Sequence, residues 1–253
     1  MTHPRPPWKT VWITGASSGI GLELARLLDS RVDHVAASAR SQDKLDALAA
    51  QAATVHSYPL DVTDATAVSA CVAEIEERGD IDLAVLNAGA WALMSVDEFD
   101  LAAIRTGVEV NVMGVMNALD VLLPRMLSRG RGHIAIVASV AGYRGLPRSL
   151  AYGPTKAALI NLAETLKTEL APRGITVSVV NPGFVDTPMT RDNPFPMPGL
   201  MSAKDAAERM LAGLERGSFE IAFPRGFAAQ MKLLRLLPDA LYFWLIRTFV
   251  LKS

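Results

Sequence analysis

The sequence predicts an α/β fold: a doubly wound parallel sheet in a single domain, with a C-terminal helical extension. Three observations carry this. Strand-like and helix-like segments alternate from Val11 to Phe223. The fourth strand segment, residues 81–86, is nearly all apolar, as expected of a strand covered on both faces. The first strand passes directly through a glycine-rich turn into a helix, T-G-A-S-S-G-I-G at residues 14–21. At 253 residues, with half of them hydrophobic, the chain is long enough for one large core, and no linker forces a second domain.

The elements follow in order. Residues 1–8, proline-rich and without an apolar h-region, read as a flexible lead rather than a signal peptide. Val11, Trp12 and Ile13 form the first strand, and Leu22 to Leu28 repeat at helical spacing behind Gly15, Gly19 and Gly21. Residues 34–39 are the second strand, and Ser41 is placed to cap a helix through Leu45, Leu48 and Ala49. Residues 55–60 are the third strand. Thr63 and Asp64 cap a helix with Val68, Val72 and Ile75 on one face, stopped by Gly79. Residues 81–86 are the fourth strand. A helical region from about Val96 to Ser128 ends at Gly130 and Gly132. Residues 134–138 are the fifth strand, a helix spans about 152–170, and residues 176–180 are the sixth strand.

Residues 182–201 carry five prolines and cannot form an ordinary helix; a long irregular stretch inside a compact domain reads as a lid over a site. Ser202 caps a helix through Met210 and Leu214, and residues 219–223 are the last strand. The domain therefore spans 9–225. The extension, 226–253, is two short helices hinged at Pro238.

Composition narrows the function. The formal charge of −1 leaves no basic footprint for nucleic acid. Cys71 stands alone in an Ala/Val/Ile pattern and reads as a small core residue, consistent with a reducing, cytoplasmic compartment. No metal site is expected. No uninterrupted apolar run is read as long enough to cross a bilayer.

Ligands of doubly wound sheets bind beyond the C-terminal strand ends. The strand–glycine turn–helix unit at the first of these ends is the geometry that holds a pyrophosphate: Gly15, Ser17, Ser18, Gly19, Ile20 and Gly21 bring backbone N–H groups and a positive helix end close to a phosphate. The second strand ends at Ala39-Arg40, where dinucleotide folds that bind NAD(H) carry an acid. A guanidinium there suits a 2′-phosphate, so NADP(H) is favoured, with NAD(H) the alternative. Ser38 and Ser41 offer hydroxyls beside it. Asp61 either accepts from an adenine amino group or builds a turn. Asn87-Ala88-Gly89 let a flat cofactor lie against backbone, with Asn87 tying neighbouring strands. Ser139 ends the fifth strand, and Asn181-Pro182-Gly183 turns sharply after the sixth.

Tyr152 and Lys156 share one helix face. Pro154 between them fits only in the first turn, which puts the pair at the helix start. A neighbouring ammonium and a helix N-terminus would both lower the phenol pKa from its ordinary value near 10, making Tyr152 a general acid in carbonyl reduction or a base in alcohol oxidation. Ser139 would hydrogen-bond the substrate oxygen.

These residues make the chain resemble the short-chain dehydrogenase/reductase family over most of its length. The resemblance rests on T-G-A-S-S-G-I-G at 14–21, N-A-G at 87–89, Asn111 in N-V-M-G, Ser139, Y-G-P-T-K at 152–156 and P-G at 182–183. It implies a Rossmann-like sheet of seven parallel strands. It implies that Ser139 polarises the carbonyl, Tyr152 transfers the proton, Lys156 lowers the tyrosine pKa and holds the nicotinamide ribose, and Asn111 holds a relay water. It places Val62 near adenine and Thr187, within the Pro182–Thr187 segment that also includes Val185, at the nicotinamide carboxamide. It also implies a homodimer or homotetramer. Two departures stand out: Gly153-Pro154-Thr155 replaces the small, often serine-containing run usual between the Tyr and the Lys. Ser17 and Ser18 stand where NADP-preferring members often carry a basic residue, so that preference rests on Arg40.

The chain is thus expected to be an oxidoreductase acting on a ketone or secondary alcohol. A cofactor-binding sensor without turnover and an epimerase or dehydratase on the same fold are the alternatives. Trp91, Leu93, Met94, Val140, Tyr143, Leu146, Phe184, Phe195, Met197 and Met201 fall in loops after ligand-edge elements and suggest an apolar cleft for a lipophilic substrate. The tail either packs on its own domain or a partner subunit, or lies on a membrane with Lys232, Arg235, Arg247 and Lys252 facing headgroups.

Overall fold

The structure is a computed structural model that describes residues 6–191 and 193–251. It is a single-domain Rossmann-like α/β fold. In chain order the elements are β1 (Thr10–Thr14), α1 (Gly19–Leu28), β2 (His34–Ala39), α2 (Gln42–Ala49), β3 (Val55–Pro59), α3 (Ala65–Glu76), β4 (Leu83–Leu86), α4 (Leu101–Val108), α5 (Gly114–Arg129), β5 (Gly132–Val137), α6 (Gly153–Leu170) and β6 (Ile175–Pro182). There follow β7 (Val185–Asp186), β8 (Met201–Ser202), α7 (Ala203–Glu215), β9 (Glu220–Phe223), α8 (Arg225–Leu236) and α9 (Asp239–Phe249).

Seven strands form one sheet in the order β3-β2-β1-β4-β5-β6-β9, all parallel. The order reverses between β1 and β4, which opens the crevice of a doubly wound sheet at their C-terminal ends. β1, β2 and β4 are buried at every residue. One face is covered by α1, α2 and α7, with Leu24, Leu28, Leu45 and Met210 in its core. The other is covered by α3, α5, α6 and α8, where Trp12, Ile75, Leu122 and Leu159 pack. Each such buried aliphatic side chain contributes roughly 1.5–3 kcal/mol of apolar burial.

The helix starts follow local chemistry. Asp64 caps α3 by accepting from the Ala67 N–H, and Asp100 caps α4 through Ala102 and Ala103. Ser202 caps α7 at Asp205. Ser41 stands at the N-cap of α2, but its side chain makes no cap bond, and Thr63 donates to Asp61 instead of capping α3. The helical region expected from Val96 is broken: a 3₁₀ turn at Val96–Glu98 precedes α4, and a π-helical turn, Glu109–Met113, joins α4 to α5. Pro124 lies inside α5 without ending it.

Three expectations change. Residues 1–5 of the lead lie outside the described residues, but Pro6 and Trp8 are buried, with Trp8 packed on His133 at 5.7 Å between ring centroids. The run Leu101–Arg129, with an 18-residue stretch of mean hydropathy 1.2, is long and apolar enough by length and composition to cross a bilayer. It packs on α3, with 44% of that stretch buried. The proline-rich stretch 182–201 is not wholly irregular, since β7 and β8 pair within it.

His133 and His34 are buried, and burial pushes both imidazoles down to about 4. The unfolded chain therefore takes up these protons first as the pH falls below 6.5, and stability is lost between there and about 4. For His133 this amounts to roughly 3 kcal/mol. Thermal melting at pH 7, 5.5 and 4.5 should show a falling midpoint, and His133→Gln should flatten the fall; a wild-type midpoint unchanged to pH 4.5 contradicts this reading.

Candidate active site

The C-terminal ends of β1 and β4 are stitched by side chains. The Thr14 hydroxyl accepts from the Asn87 and Ala88 N–H groups at 2.9 and 3.0 Å. The Asn87 amide donates to the Thr14 and Gly15 carbonyls at 3.0 and 3.3 Å. Gly21, at the start of α1, sits so close behind this turn that a Cβ would lie 2.5 Å from the Gly15 carbonyl oxygen. Gly19 has φ +56°, and a Cβ there would strike Thr187 at 2.9 Å, so only glycine suits a position where the turn faces the lid.

A cleft of about 390 Å³ opens over this stitch. Its walls include Gly15, Ser17, Ser18, Gly19, Ile20, Arg40, Asp61 and Val62 at one end. Asn87, Ala88, Gly89, Ser139, Tyr152, Lys156, Pro182, Gly183, Val185 and Thr187 continue it toward the other. Two residues predicted for the site are not on the wall. Gly21 lies behind the glycine turn. Asn111 is fully buried, where it receives the Ala90 N–H at 2.7 Å and donates to the Ala90 carbonyl (2.9 Å) and the Thr155 hydroxyl (3.0 Å). The π-helical turn presents Asn111 to these partners, so it ties the Gly89-Ala90 wall to α6.

Helix α6 starts at Gly153, with Pro154 in its first turn and Tyr152 at the N-cap. The Ser139 hydroxyl receives the Ala141 N–H at 3.1 Å and donates to the Pro182 carbonyl at 3.3 Å, and Tyr152 stands beside it on the cleft wall. Lys156 is buried; its Nζ donates to the Val137 carbonyl at 2.9 Å and lies 5.5 Å from the Tyr152 ring centroid. The expected lowering of the phenol pKa by Lys156 is not found. Burial pushes Tyr152 up to about 12, with the Ser139 hydrogen bond opposing, and burial brings Lys156 down to about 8. The ammonium is held by a carbonyl beside the ring, and desolvation governs both groups.

At the other end, Arg40 is exposed on the wall, with no ion pair to the described residues. Asp61 is a turn builder: its Oδ1 accepts from the Thr63 N–H and hydroxyl at 3.0 and 2.8 Å. These bonds, with a smaller contribution from Arg40, hold its carboxyl below the usual range. Ser38 is buried, accepting from the Trp12 indole at 2.9 Å, and is not available to a ligand; Ser41 does line the cleft.

None of the ten apolar loop residues expected around the substrate lines this cleft. Met94, Val140 and Tyr143 are buried in the core, and Phe184 packs with Phe195 and Phe227 at 5.9 and 5.6 Å. The apolar wall comes instead from Val110, Val137 and Met189, beside Ala90, Thr106 and Thr190. Thr106 and Val110 were detectable in principle as an i, i+4 pair facing the strand ends.

A family model described as "short chain dehydrogenase" matches residues 9–195. The chain is a short-chain dehydrogenase. It is therefore an oxidoreductase, as is the Myxococcus xanthus protein named "Uncharacterized oxidoreductase", which is 39% identical over 93% of this chain and 95% of its own length. A solved short-chain dehydrogenase from Burkholderia cenocepacia in complex with NADP superposes with a TM-score of 0.82 at 29% identity, covering 94% of this chain and 97% of that one. One from Burkholderia phymatum in complex with NAD also gives 0.82, at 26% identity over 91% and 94%.

In this dehydrogenase, Thr14→Val keeps the shape of the stitch but removes the acceptor for two backbone N–H groups. Each unpaired group costs about 1–3 kcal/mol. The urea midpoint should fall accordingly and NADPH binding should weaken; a variant with wild-type midpoint and affinity would show that the stitch is not what holds the cleft.

Proposed function

We propose that this dehydrogenase transfers hydride between NADP(H) and a ketone or secondary alcohol, with Tyr152 carrying the proton. The observation that carries this reading is the meeting of Ser139, Tyr152 and Lys156 on the wall of the same cleft as the glycine turn.

The residues suit the cofactor. Gly15 and Gly19 have positive φ where a side chain would fill the cradle, and Gly89 exposes backbone in the middle of the wall. Arg40, with no ion pair to the described residues, offers its guanidinium for a 2′-phosphate, and Val62 and Asp61 would flank the adenine. Lys156 would hold the nicotinamide ribose, and Gly183, Val185 and Thr187 the carboxamide side. The NADP found in the Burkholderia cenocepacia structure supports this preference, while the NAD in the Burkholderia phymatum structure keeps NAD(H) as a weaker substitute. The bound nicotinamide supplies or accepts the hydride.

In the reducing direction, Ser139 donates a hydrogen bond to the substrate carbonyl oxygen and orients it. Tyr152, whose phenol stays protonated at neutral pH, gives its proton to that oxygen as negative charge develops there. The phenolate left behind lies near the Lys156 ammonium. Asn111 acts behind the wall by fixing Ala90 and Thr155, and so the start of α6.

Assembly belongs to the same reading. Val96, Phe99, Leu101, Val108, Met113 and Met116 are exposed along α4, α5 and the turn before them. This apolar face supports a homodimer or homotetramer built on the long helices.

Tyr152→Phe should bind NADPH normally by fluorescence titration and lose about 10²–10⁴-fold in turnover on a panel of ketones. Unimpaired turnover would remove Tyr152 from the proton step. For wild type, kcat/KM for reduction should fall as the pH rises past about 8, where Lys156 loses its proton; a flat profile from pH 7 to 10 contradicts a role for the ammonium. Arg40→Asp should reverse the coenzyme preference from NADPH to NADH, and an unchanged ratio would place the 2′-phosphate elsewhere.

A further inference from the structure

The C-terminal extension is fastened to the body by polar anchors. Lys232 of α8 pairs with Glu220, which also accepts from Tyr143 and Asn181. The Arg144 guanidinium donates to the Leu234, Arg235 and Leu237 carbonyls at the end of α8 and pairs with Asp239 at the start of α9. It also stacks on Tyr242, 3.9 Å from the ring centroid, and the Tyr242 hydroxyl donates to the Gly145 carbonyl. Ala228, Met231, Tyr242 and Ile246 are buried by this docking.

The docking fixes which face of the extension points outward, and that face is apolar. Phe243, Trp244 and Arg247 are exposed on α9, turned away from the buried Tyr242 and Ile246, and Leu251, just past the end of the helix, is exposed too. Trp244 is 56% exposed, Leu251 61% and Leu236 of α8 80%. Arg235 and Arg247 are exposed. From Arg225 to Ser253 the sequence has five basic residues and one acid, Asp239, in a chain whose total is 25 basic to 26 acidic. That acid is already paired with Arg144. At 11 residues α9 spans about 16 Å, far short of a bilayer core.

We propose that this face docks on an anionic phospholipid surface, lying in the interface with Trp244, Phe243 and Leu236 among the acyl-chain ends and Arg235 and Arg247 on the headgroups. A short, aromatic, basic helix with its polar anchors turned to its own protein has the chemistry of an interfacial helix. A second copy of this face is a poor occupant, because it would set arginine against arginine with no free acid between them. Lys232 is spent on Glu220 and takes no part, and Lys252 lies outside the described residues.

The test is flotation of the full-chain protein with phosphatidylcholine vesicles, with and without one quarter phosphatidylglycerol, at low and high salt. The proposal predicts binding to the anionic vesicles about tenfold or more above the neutral ones, lost in high salt. The double variants Leu236→Ser/Trp244→Ser and Arg235→Glu/Arg247→Glu should each lose binding while keeping the wild-type melting midpoint and NADPH affinity. No binding of wild type to anionic vesicles overturns the proposal. So does a shift of the Leu236→Ser/Trp244→Ser protein from dimer to monomer in size-exclusion chromatography without any vesicle binding by wild type, which would make the face a contact between copies.

Discussion

The close approach of β1 and β4 at their C-terminal ends is the constraint on which the cleft depends. At the point where the strand order reverses, adjacent loops diverge to opposite faces of the sheet and leave a crevice. Left to itself such a crevice exposes backbone donors. Here the Thr14 hydroxyl takes two of them, and the Asn87 amide takes two carbonyls in return. The turn can then be drawn so tightly against α1 that Gly21 has no room for a methyl group. The glycine turn and the Asn87–Gly89 segment thereby become one wall.

The opposite wall depends on burial rather than on attraction between charges. Pro154 starts α6 one residue after Tyr152, and the first turn of the helix carries Lys156 inward to the Val137 carbonyl. Desolvation moves both groups toward their neutral forms, raising the phenol and lowering the amine. A phenol that holds its proton is still a sufficient acid for a developing alkoxide, which is more basic than any phenolate. Ser139 opposes the rise of the Tyr152 phenol, so in the proposed reaction it would act on the tyrosine as well as on a substrate oxygen.

Much of this was legible in the sequence because it is local. Apolar runs reveal buried parallel strands, the glycine spacing reveals the turn, and Pro154, two residues after Tyr152 in the Tyr–Lys pattern, fixes where α6 begins. What was not legible depends on contacts between distant segments. Nothing near Thr14 announces that its hydroxyl will serve Asn87 and Ala88, 73 and 74 residues away. Ser38 looked like a ligand donor because it lies near the strand end that carries Arg40, but Trp12 of the neighbouring strand claims it. The apolar loops were misassigned to the cleft because hydrophobic residues near a site and hydrophobic residues filling the core have the same local pattern. Tyr143 and Phe184 went to packing, and Val110 and Met189 lined the cleft instead. At Tyr152 the sequence shows the neighbouring charge and hides the burial that pushes the phenol up.

The central claim is that one cleft holds the nicotinamide beside Tyr152 and the adenine end beside Arg40. A crystal structure of the NADPH complex tests it most directly. The account predicts the nicotinamide ring between the Ser139–Tyr152 pair and the Pro182-Gly183 turn, with the 2′-phosphate on the Arg40 guanidinium. A cofactor bound with its nicotinamide away from the Tyr152 hydroxyl, or with its pyrophosphate off the Gly15–Gly19 turn, would contradict it.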